Sequence, residues 1–173
     1  MRKDSGFTLI ELLVTISVAA ILIGVGAPSL NELVRNNRRA AAANALITTV
    51  QQARSTAASR GITTVLCHSA NGSSCSGASD PDWSSGWLLF VDADADGIKG
   101  PDEDVLSAVG SREGVAMPSK QERFTFPPGF SAWINGGTVA VCIDGESNDR
   151  WIRISKTGRP RLATEHPDNS PTC

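Results

Sequence analysis

An apolar run at residues 7–27 is the feature that most limits how this chain can fold. Glu11 is the only charged residue in the run, which follows a short charged leader at residues 1–6. A helix needs about 20 apolar residues to cross the hydrocarbon core of a bilayer. A secretory signal would carry a shorter apolar stretch that ends at a small-residue cleavage site. The run therefore predicts one membrane-spanning helix near the N-terminus.

The carboxylate of Glu11 needs an explanation, because an ionised side chain inside a membrane helix is costly without a partner. One explanation is a plain signal anchor that carries a chance glutamate. The other is an assembly in which a neighbouring subunit supplies a positive charge, so that neither ion is buried alone. Under either explanation, the carboxylate of Glu11 calls for a compensating positive charge.

The helical pattern continues beyond Pro28, and Gly61 supplies a C-terminal stop. Apolar residues recur there at helical spacing, and those expected to face a sheet are Leu46, Ile47 and Val50. Short β-rich runs separated by turn residues follow, which is typical of antiparallel strands. The predicted strands are 62–67, 86–91, 105–109, 123–126, 130–134, 138–143 and 150–155.

Four cysteines in a domain exported from the cytoplasm predict disulfides, since that compartment is oxidising. Cys67 and Cys75 close a short loop, and Cys142 then holds Cys173 and the proline-rich tail. This is one of the three pairings that four cysteines allow. A zinc site is disfavoured, because the spacings lack a second close pair of cysteine or histidine.

Residues 92–103 match the calcium-loop pattern, with alternating Asp92, Asp94 and Asp96, a glycine at position 97 and Glu103 at the twelfth position. Carboxylates at this spacing can converge on one cation. The preceding residues form a predicted strand, so the segment is not a helix–loop–helix motif. A solvated acidic hairpin is the alternative. Calcium is the only cofactor that the sequence suggests.

The chain carries a formal net charge of −2, so its overall charge does not indicate a nucleic-acid partner. Its basic residues are unevenly distributed, and a C-terminal cluster without intervening acids contains Arg150, Arg153, Lys156, Arg159 and Arg161. The two histidines, His68 and His166, are isolated in the sequence and are expected at the surface. No local Ser, His and Asp motif indicates catalysis, so we expect a protein that is not an enzyme.

Residues 6–11, read as G-F-T-L-I-E, closely resemble the processing site of the type IV pilin and type II secretion pseudopilin superfamily. The resemblance implies that a prepilin peptidase cuts after Gly6 and methylates Phe7, which makes Glu11 the fifth mature residue. It also implies a single-pass protein of the bacterial inner membrane with a periplasmic C-terminal domain. After assembly with major and minor pilins, the protein would lie in a fibre at the cell surface.

The run G-W-L-L-F-V-D at residues 86–92, the short cysteine loop and the late hairpin resemble the GspH, FimT and FimU branch of minor pilins and pseudopilins. The run G-R-P-R at residues 158–161 matches the G-R-x-R element of DNA-binding FimT proteins, so the resemblance is strongest to FimT. It implies non-specific binding of double-stranded DNA for uptake in natural transformation. The implied DNA-binding residues are Arg159, Arg161, Lys156, Arg153, Arg150 and Gly158.

The resemblance implies an α+β, type IV pilin-like fold, in which a long N-terminal helix packs on a C-terminal antiparallel β-sheet domain. The expected parts are a prepilin leader (1–6), a transmembrane or fibre-core half of the helix (7–28), an amphipathic half (29–61) and a β-rich domain (62–173). Two alternatives do not involve DNA. One is a FimU-like minor pilin that initiates or caps the pilus, and the other is a GspH-like pseudopilin of type II secretion.

Overall fold

The computed structural model describes residues 6–129, 135–143, 150–165 and 171, apart from the side chains of residues 24–29. The predicted strand 130–134, the leader residues 1–5, His166 and Cys173 lie outside the described residues. The elements are α1 (Leu9–Arg60), β1 (Thr63–His68), a 3-10 turn (Trp83–Ser85), β2 (Trp87–Asp92), β3 (Val105–Val109), β4 (Arg123–Phe126), β5 (Gly137–Val141), β6 (Arg150–Ile154) and β7 (Pro160–Ala163). A long helix with antiparallel strands confirms the α+β class.

Both ends of α1 follow local rules. The Thr8 hydroxyl accepts the Glu11 N–H at 3.3 Å, so Thr8 caps the N-terminus. At the other end the Gly61 N–H donates to Ala57 O at 3.1 Å. Gly61 has φ +66°, the left-handed conformation that commonly ends a helix. The predicted stop at Gly61 is confirmed.

Contacts divide the chain into two compact units, Met1–Asn37 and Arg38–Cys173. In the first unit the described large apolar side chains of α1, and of Phe7 just before it, are exposed. Phe7 is 77% exposed and Ile23 is 68% exposed. Such a row of exposed apolar side chains is unusual in a protein that works as an isolated monomer in water.

Across the described residues, no helix combines the length and apolar character needed to cross a membrane.

In the second unit a four-stranded antiparallel sheet has the order β3-β2-β1-β4. Its two central strands, β1 and β2, are buried on both faces. Leu66 and Leu89 face the core that Leu46 and Val50 of α1 help to form. The opposite face buries Val65, Cys67, Leu88 and Phe90 in a smaller cluster with Cys75. Burial on both faces explains why β2 is an almost continuous apolar run.

A second antiparallel sheet has the order β5-β6-β7. Ile152 and Ile154 of β6 lie in the main core, as their alternation predicted. Trp151 faces the other way as predicted, and it is buried there with Ala140 and Cys142. The sequence did not predict β7, which begins at Pro160. A proline is compatible with the first residue of an edge strand, where its missing N–H leaves no gap in the sheet.

Candidate functional site

A tight turn joins β6 to β7 and carries the middle of the basic cluster. The Gly158 N–H donates to Ser155 O at 2.8 Å, and the Ser155 N–H donates to Arg159 O at 3.0 Å. The Arg159 N–H also donates to the Ser155 hydroxyl at 3.2 Å. With φ +74°, Gly158 takes the left-handed position that closes a three-residue hairpin loop. Both sides of the turn are therefore fixed through Ser155.

Gly158 is the buried residue of this turn. A Cβ at this position would lie 3.2 Å from Arg54 Cδ and 3.3 Å from the Phe126 ring. These residues belong to α1 and β4, so the glycine allows the turn to approach both elements closely. Among the predicted DNA-binding residues, Gly158 thus positions the turn. The exposed charges belong to Arg159 and Arg161, which follow it.

Strands β6 and β7 place two exposed arginines directly opposite each other, with Arg153 in register with Arg161. Because Ile152 and Ile154 face the core, Arg153 lies on the outer face of the sheet. Directly opposed residues have Cβ atoms about 4.5–5.5 Å apart. Two like charges at that spacing destabilise the strand pair.

The two arginines line an open depression of about 1030 Å³. Its other charged lining residues are Lys120, Lys156, Arg159 and Glu165. Lys120 lies in the segment before β4 and is not part of the basic cluster predicted from the sequence. Its neighbour Ser119 forms an isolated bridge with Val139 of β5, and this bridge brings the segment alongside the second sheet. No local pattern in the sequence could have indicated that contact.

Arg150 stands apart from this basic depression. It is the first residue of β6, and its Cα partner is Val141 of β5. It is exposed but does not line the depression. Alternation places it on the same side of β6 as Ile152 and opposite Arg153. The structure therefore brings together four of the five predicted cations and separates Arg150 from them.

The acidic loop connects the antiparallel strands β2 and β3, as expected for a hairpin connection rather than a helix–loop–helix motif. One carboxylate oxygen from each of Asp92, Asp94 and Asp96 lies within 4.8 Å of those from the other two. The fourth predicted ligand, Glu103, is placed differently. Its two oxygens accept the N–H groups of Ala93 and Gly100, each at 2.8 Å. Glu103 thus holds the loop closed instead of joining the three aspartates.

Asp92 is the buried member of this trio, with 2% of its surface exposed. Its Oδ2 accepts the Gly97 N–H at 3.1 Å, while its Oδ1 is buried without a hydrogen-bond partner. Burial raises the pKa of the Asp92 carboxyl, and the Gly97 hydrogen bond opposes this rise. The negative charges of Glu103, Asp96 and Asp94 raise the Asp92 pKa further.

A disulfide joins Cys67 to Cys75, which is the pairing expected for the short loop. Cys67 is fully buried in β1, so the bond fastens the loop to the outer face of the first sheet. Cys142 is also disulfide-bonded. Its predicted partner, Cys173, lies outside the described residues.

The expectation of a surface position is wrong for His68, which is only 7% exposed. The Ser85 hydroxyl donates to Asp82 O at 2.9 Å and therefore accepts from His68 Nε2–H, which lies 2.6 Å away. Desolvation lowers the pKa of His68, while the negative charges of Asp82 and Glu122 oppose this shift. The neutral ring thus serves as a hydrogen-bond donor within the fold.

Two family models match the chain. The model of the type II transport protein GspH matches residues 42–158, which is more than half of the chain. The model of the prokaryotic N-terminal methylation motif matches residues 1–27, which include Gly6, Phe7 and Glu11. No curated protein shows a significant sequence match.

Two crystal structures of the type IV minor pilin FimU from Pseudomonas aeruginosa are similar to the chain. The structure in space group P21 has a TM-score of 0.55 and 22% identity, over 79% of this chain and 94% of that one. The structure in space group P65 has a TM-score of 0.50 and 19% identity, over 76% and 95%. At these identities the likeness concerns the fold, and it confirms the expected type IV pilin-like fold.

Proposed function

The chain belongs to the GspH family of pilin-like proteins, and we propose that it is a minor pilin whose basic depression binds extracellular DNA without sequence specificity. The family and the N-terminal methylation motif account for a minor pilin or pseudopilin that is anchored in the membrane before assembly. Uptake of the bound DNA in natural transformation is the finer role that we propose. It requires binding and no catalytic step.

The observation that carries the DNA proposal is the convergence of five cations on one depression. Arg153 and Arg161 repel each other across β6 and β7, and a phosphate group between them would relieve that repulsion. Lys120, Lys156 and Arg159 extend the positive surface around this pair. A groove of cations that tracks a phosphate backbone binds duplexes of any sequence.

The N-terminal residues support assembly into a fibre. We propose that prepilin peptidase cuts after Gly6, that Phe7 becomes the methylated N-terminus, and that residues 7–28 anchor the protein in the inner membrane. On assembly, the exposed apolar side chains of α1 would pack against other major and minor pilins. The Phe7 ammonium of a neighbour would then compensate the Glu11 carboxylate, so that neither charge is buried alone.

The second candidate is a structural minor pilin without DNA binding, and the likeness to FimU favours it through the fold. Such a subunit would initiate or cap the pilus. A pseudopilin of a type II secretion system is the related form of this candidate, in keeping with the description of the matching family. Both forms need the N-terminal helix but not the basic depression, so the depression is the part to test.

The test is the double variant Arg159→Ala with Arg161→Ala, in the full chain purified in detergent micelles. Fluorescence anisotropy with a labelled duplex should give a dissociation constant of about 10⁻⁴–10⁻⁶ M for the unmodified chain, with affinity falling steeply as salt rises. We expect the double variant to lose at least about tenfold in affinity. The slope of log K against log salt should fall by about 2, since two phosphate contacts are removed.

A matched control replaces two exposed arginines of α1, Arg35→Ala with Arg60→Ala, and so removes the same charge elsewhere. We expect that control to keep the affinity and the salt slope nearly unchanged. If the folded Arg159 and Arg161 variant binds DNA as the unmodified chain does, the depression is not the receptor. Normal transformation by that variant would likewise favour the structural minor pilin.

A further inference from the structure

Three carboxylates lie close together where strand β2 leads into the β2–β3 loop. Asp92 ends the buried strand β2, whereas Asp94 and Asp96 are exposed. Their nearest oxygens all lie within 4.8 Å of one another. The loop backbone folds around these groups, because the Asp96 N–H donates to Asp94 Oδ1 at 3.3 Å and the Ile98 N–H donates to Asp96 Oδ1 at 2.6 Å.

Asp92 distinguishes this trio from an ordinary acidic surface loop. Only 2% of its surface is exposed, and its buried Oδ1 has no hydrogen-bond partner. A buried carboxylate oxygen without a partner loses its hydration and gains nothing in return. A cation held by the three aspartates would supply the missing interaction. The unpartnered buried oxygen therefore supports a ligand beside Asp92.

The neighbouring basic side chains have other partners. In the part of the chain that the structure describes, no lysine or arginine forms an ion pair with Asp92, Asp94 or Asp96. The nearby Arg123 side chain donates to Gly97 O and forms an ion pair with Glu122. Arg123 therefore does not neutralise the three aspartates.

We propose that Asp92, Asp94 and Asp96 bind one calcium ion, independently of the basic depression. Hard cations prefer carboxylate oxygens, and calcium tolerates the irregular geometry and mixed ligands of a loop better than magnesium, which demands an octahedron. Water and backbone carbonyl groups complete the shell. Glu103 holds the amides of Ala93 and Gly100, so the ion lacks the bidentate twelfth-position ligand of a high-affinity loop.

The missing glutamate ligand places the affinity in the range of extracellular calcium modules, about 10⁻⁴–10⁻³ M. Such a site is empty in the cytoplasm and fills outside it, where it would tie the exposed Asp94 and Asp96 to the buried end of β2. The bound ion thus stabilises the loop in the compartment where the assembled domain works.

Isothermal titration calorimetry on the full chain in detergent micelles tests the proposal with calcium chloride, and with magnesium chloride as the competing ion. We expect one site per chain for calcium with a dissociation constant of about 10⁻⁴–10⁻³ M. At a calcium concentration ten times that constant, Tm should rise by about 3–6 °C. Magnesium at the same concentration should give less than half of that rise.

The matched variants are Asp94→Ala and Asp102→Ala, which remove the same charge from exposed positions of one loop. We expect Asp94→Ala to weaken calcium binding at least about tenfold and to remove the Tm rise, while Asp102→Ala changes neither by more than about twofold. If titration with calcium chloride gives no heat of binding, the proposal is overturned. Equal losses in the two variants would also overturn it, since they would show general charge screening.

Discussion

Gly158 shows at the scale of one residue how a short motif can combine two tasks. In the run G-R-P-R the arginines are exposed, whereas the glycine is buried and takes a left-handed φ of +74°. The neighbouring Arg54 and Phe126 leave little room for a side chain. The glycine is therefore required for the turn that presents Arg159 and Arg161.

Replacing Gly158 with alanine should lower the free energy of unfolding by about 1–3 kcal/mol, because alanine is strained in the left-handed conformation. Urea unfolding followed by tryptophan fluorescence measures this change. The control is Gly110→Ala, where an added Cβ meets nothing within 4 Å and φ is not in the left-handed range. Equal stability of the two variants would contradict the structural role of Gly158.

His68 predicts a pH dependence of stability. Because burial lowers the His68 pKa below its ordinary 6.5, the unfolded chain takes up a proton on this ring at a higher pH than the folded chain does. The contribution of the neutral ring is complete above pH 6.5 and is lost as the pH falls toward the lowered pKa. The free energy of unfolding should decline between pH 7 and pH 5, and the decline should be smaller in His68→Gln. His166 is present in both proteins, so the difference between them reports on His68.

At the scale of elements, α1 carries its core-facing residues on the half that lies in the second unit. Leu46 is fully buried among the residues of the main core. Trp87 of β2 also donates its Nε1–H to the Thr49 hydroxyl at 3.1 Å, which links the helix to the first sheet. Packing along this half of α1 thus combines apolar contacts with a buried hydrogen bond.

Leu46→Ala should lower the free energy of unfolding by about 2–5 kcal/mol, since it removes buried methyl groups and leaves a cavity. Leu33→Ala on the same helix is the control, because Leu33 is 57% exposed and should change stability by less than about 0.5 kcal/mol. Urea unfolding of the two variants in the same detergent gives the comparison. Similar values would mean that Leu46 does not stabilise the fold.

The cysteines give a second prediction at the scale of elements. Peptide mapping without reduction should recover one peptide pair that contains Cys67 and Cys75 and another that contains Cys142 and Cys173. The first pair follows from the disulfide in the structure, and the second completes the pairing predicted from the sequence. Recovery of Cys142 with any other cysteine would contradict the predicted attachment of the C-terminal tail.

For the whole molecule, the prediction concerns assembly. Glu11→Ala should enter the membrane as the unmodified chain does but assemble poorly into fibres, because the N-terminal ammonium of the neighbour would lose its compensating charge. Immunoblots of sheared fibres and of membranes measure the two pools. Glu32→Ala is the control, since it removes an exposed acid from the same helix and should assemble normally. Equal incorporation of Glu11→Ala would show that the carboxylate is dispensable.

Local pattern alone determined several features of this protein. The helix stop at Gly61 and the alternation of Ile152 and Ile154 were predictable, because each depends on residues within a turn or strand. The bounds of β3 and β4 agree with the predicted strands for the same reason. The disulfide between Cys67 and Cys75 could be predicted in the same way, since few residues separate the two cysteines.

Tertiary structure decided the features that depend on distant segments. Lys120 joins the basic depression only because Ser119 pairs with Val139, and Arg153 opposes Arg161 only because the Gly158 turn sets the register. Arg150 belongs to the same basic run in the sequence, yet strand alternation separates it from the depression. Burial of His68 likewise depends on the Ser85 segment. A sequence pattern records neighbours along the chain, whereas charge clusters and burial depend on neighbours in space.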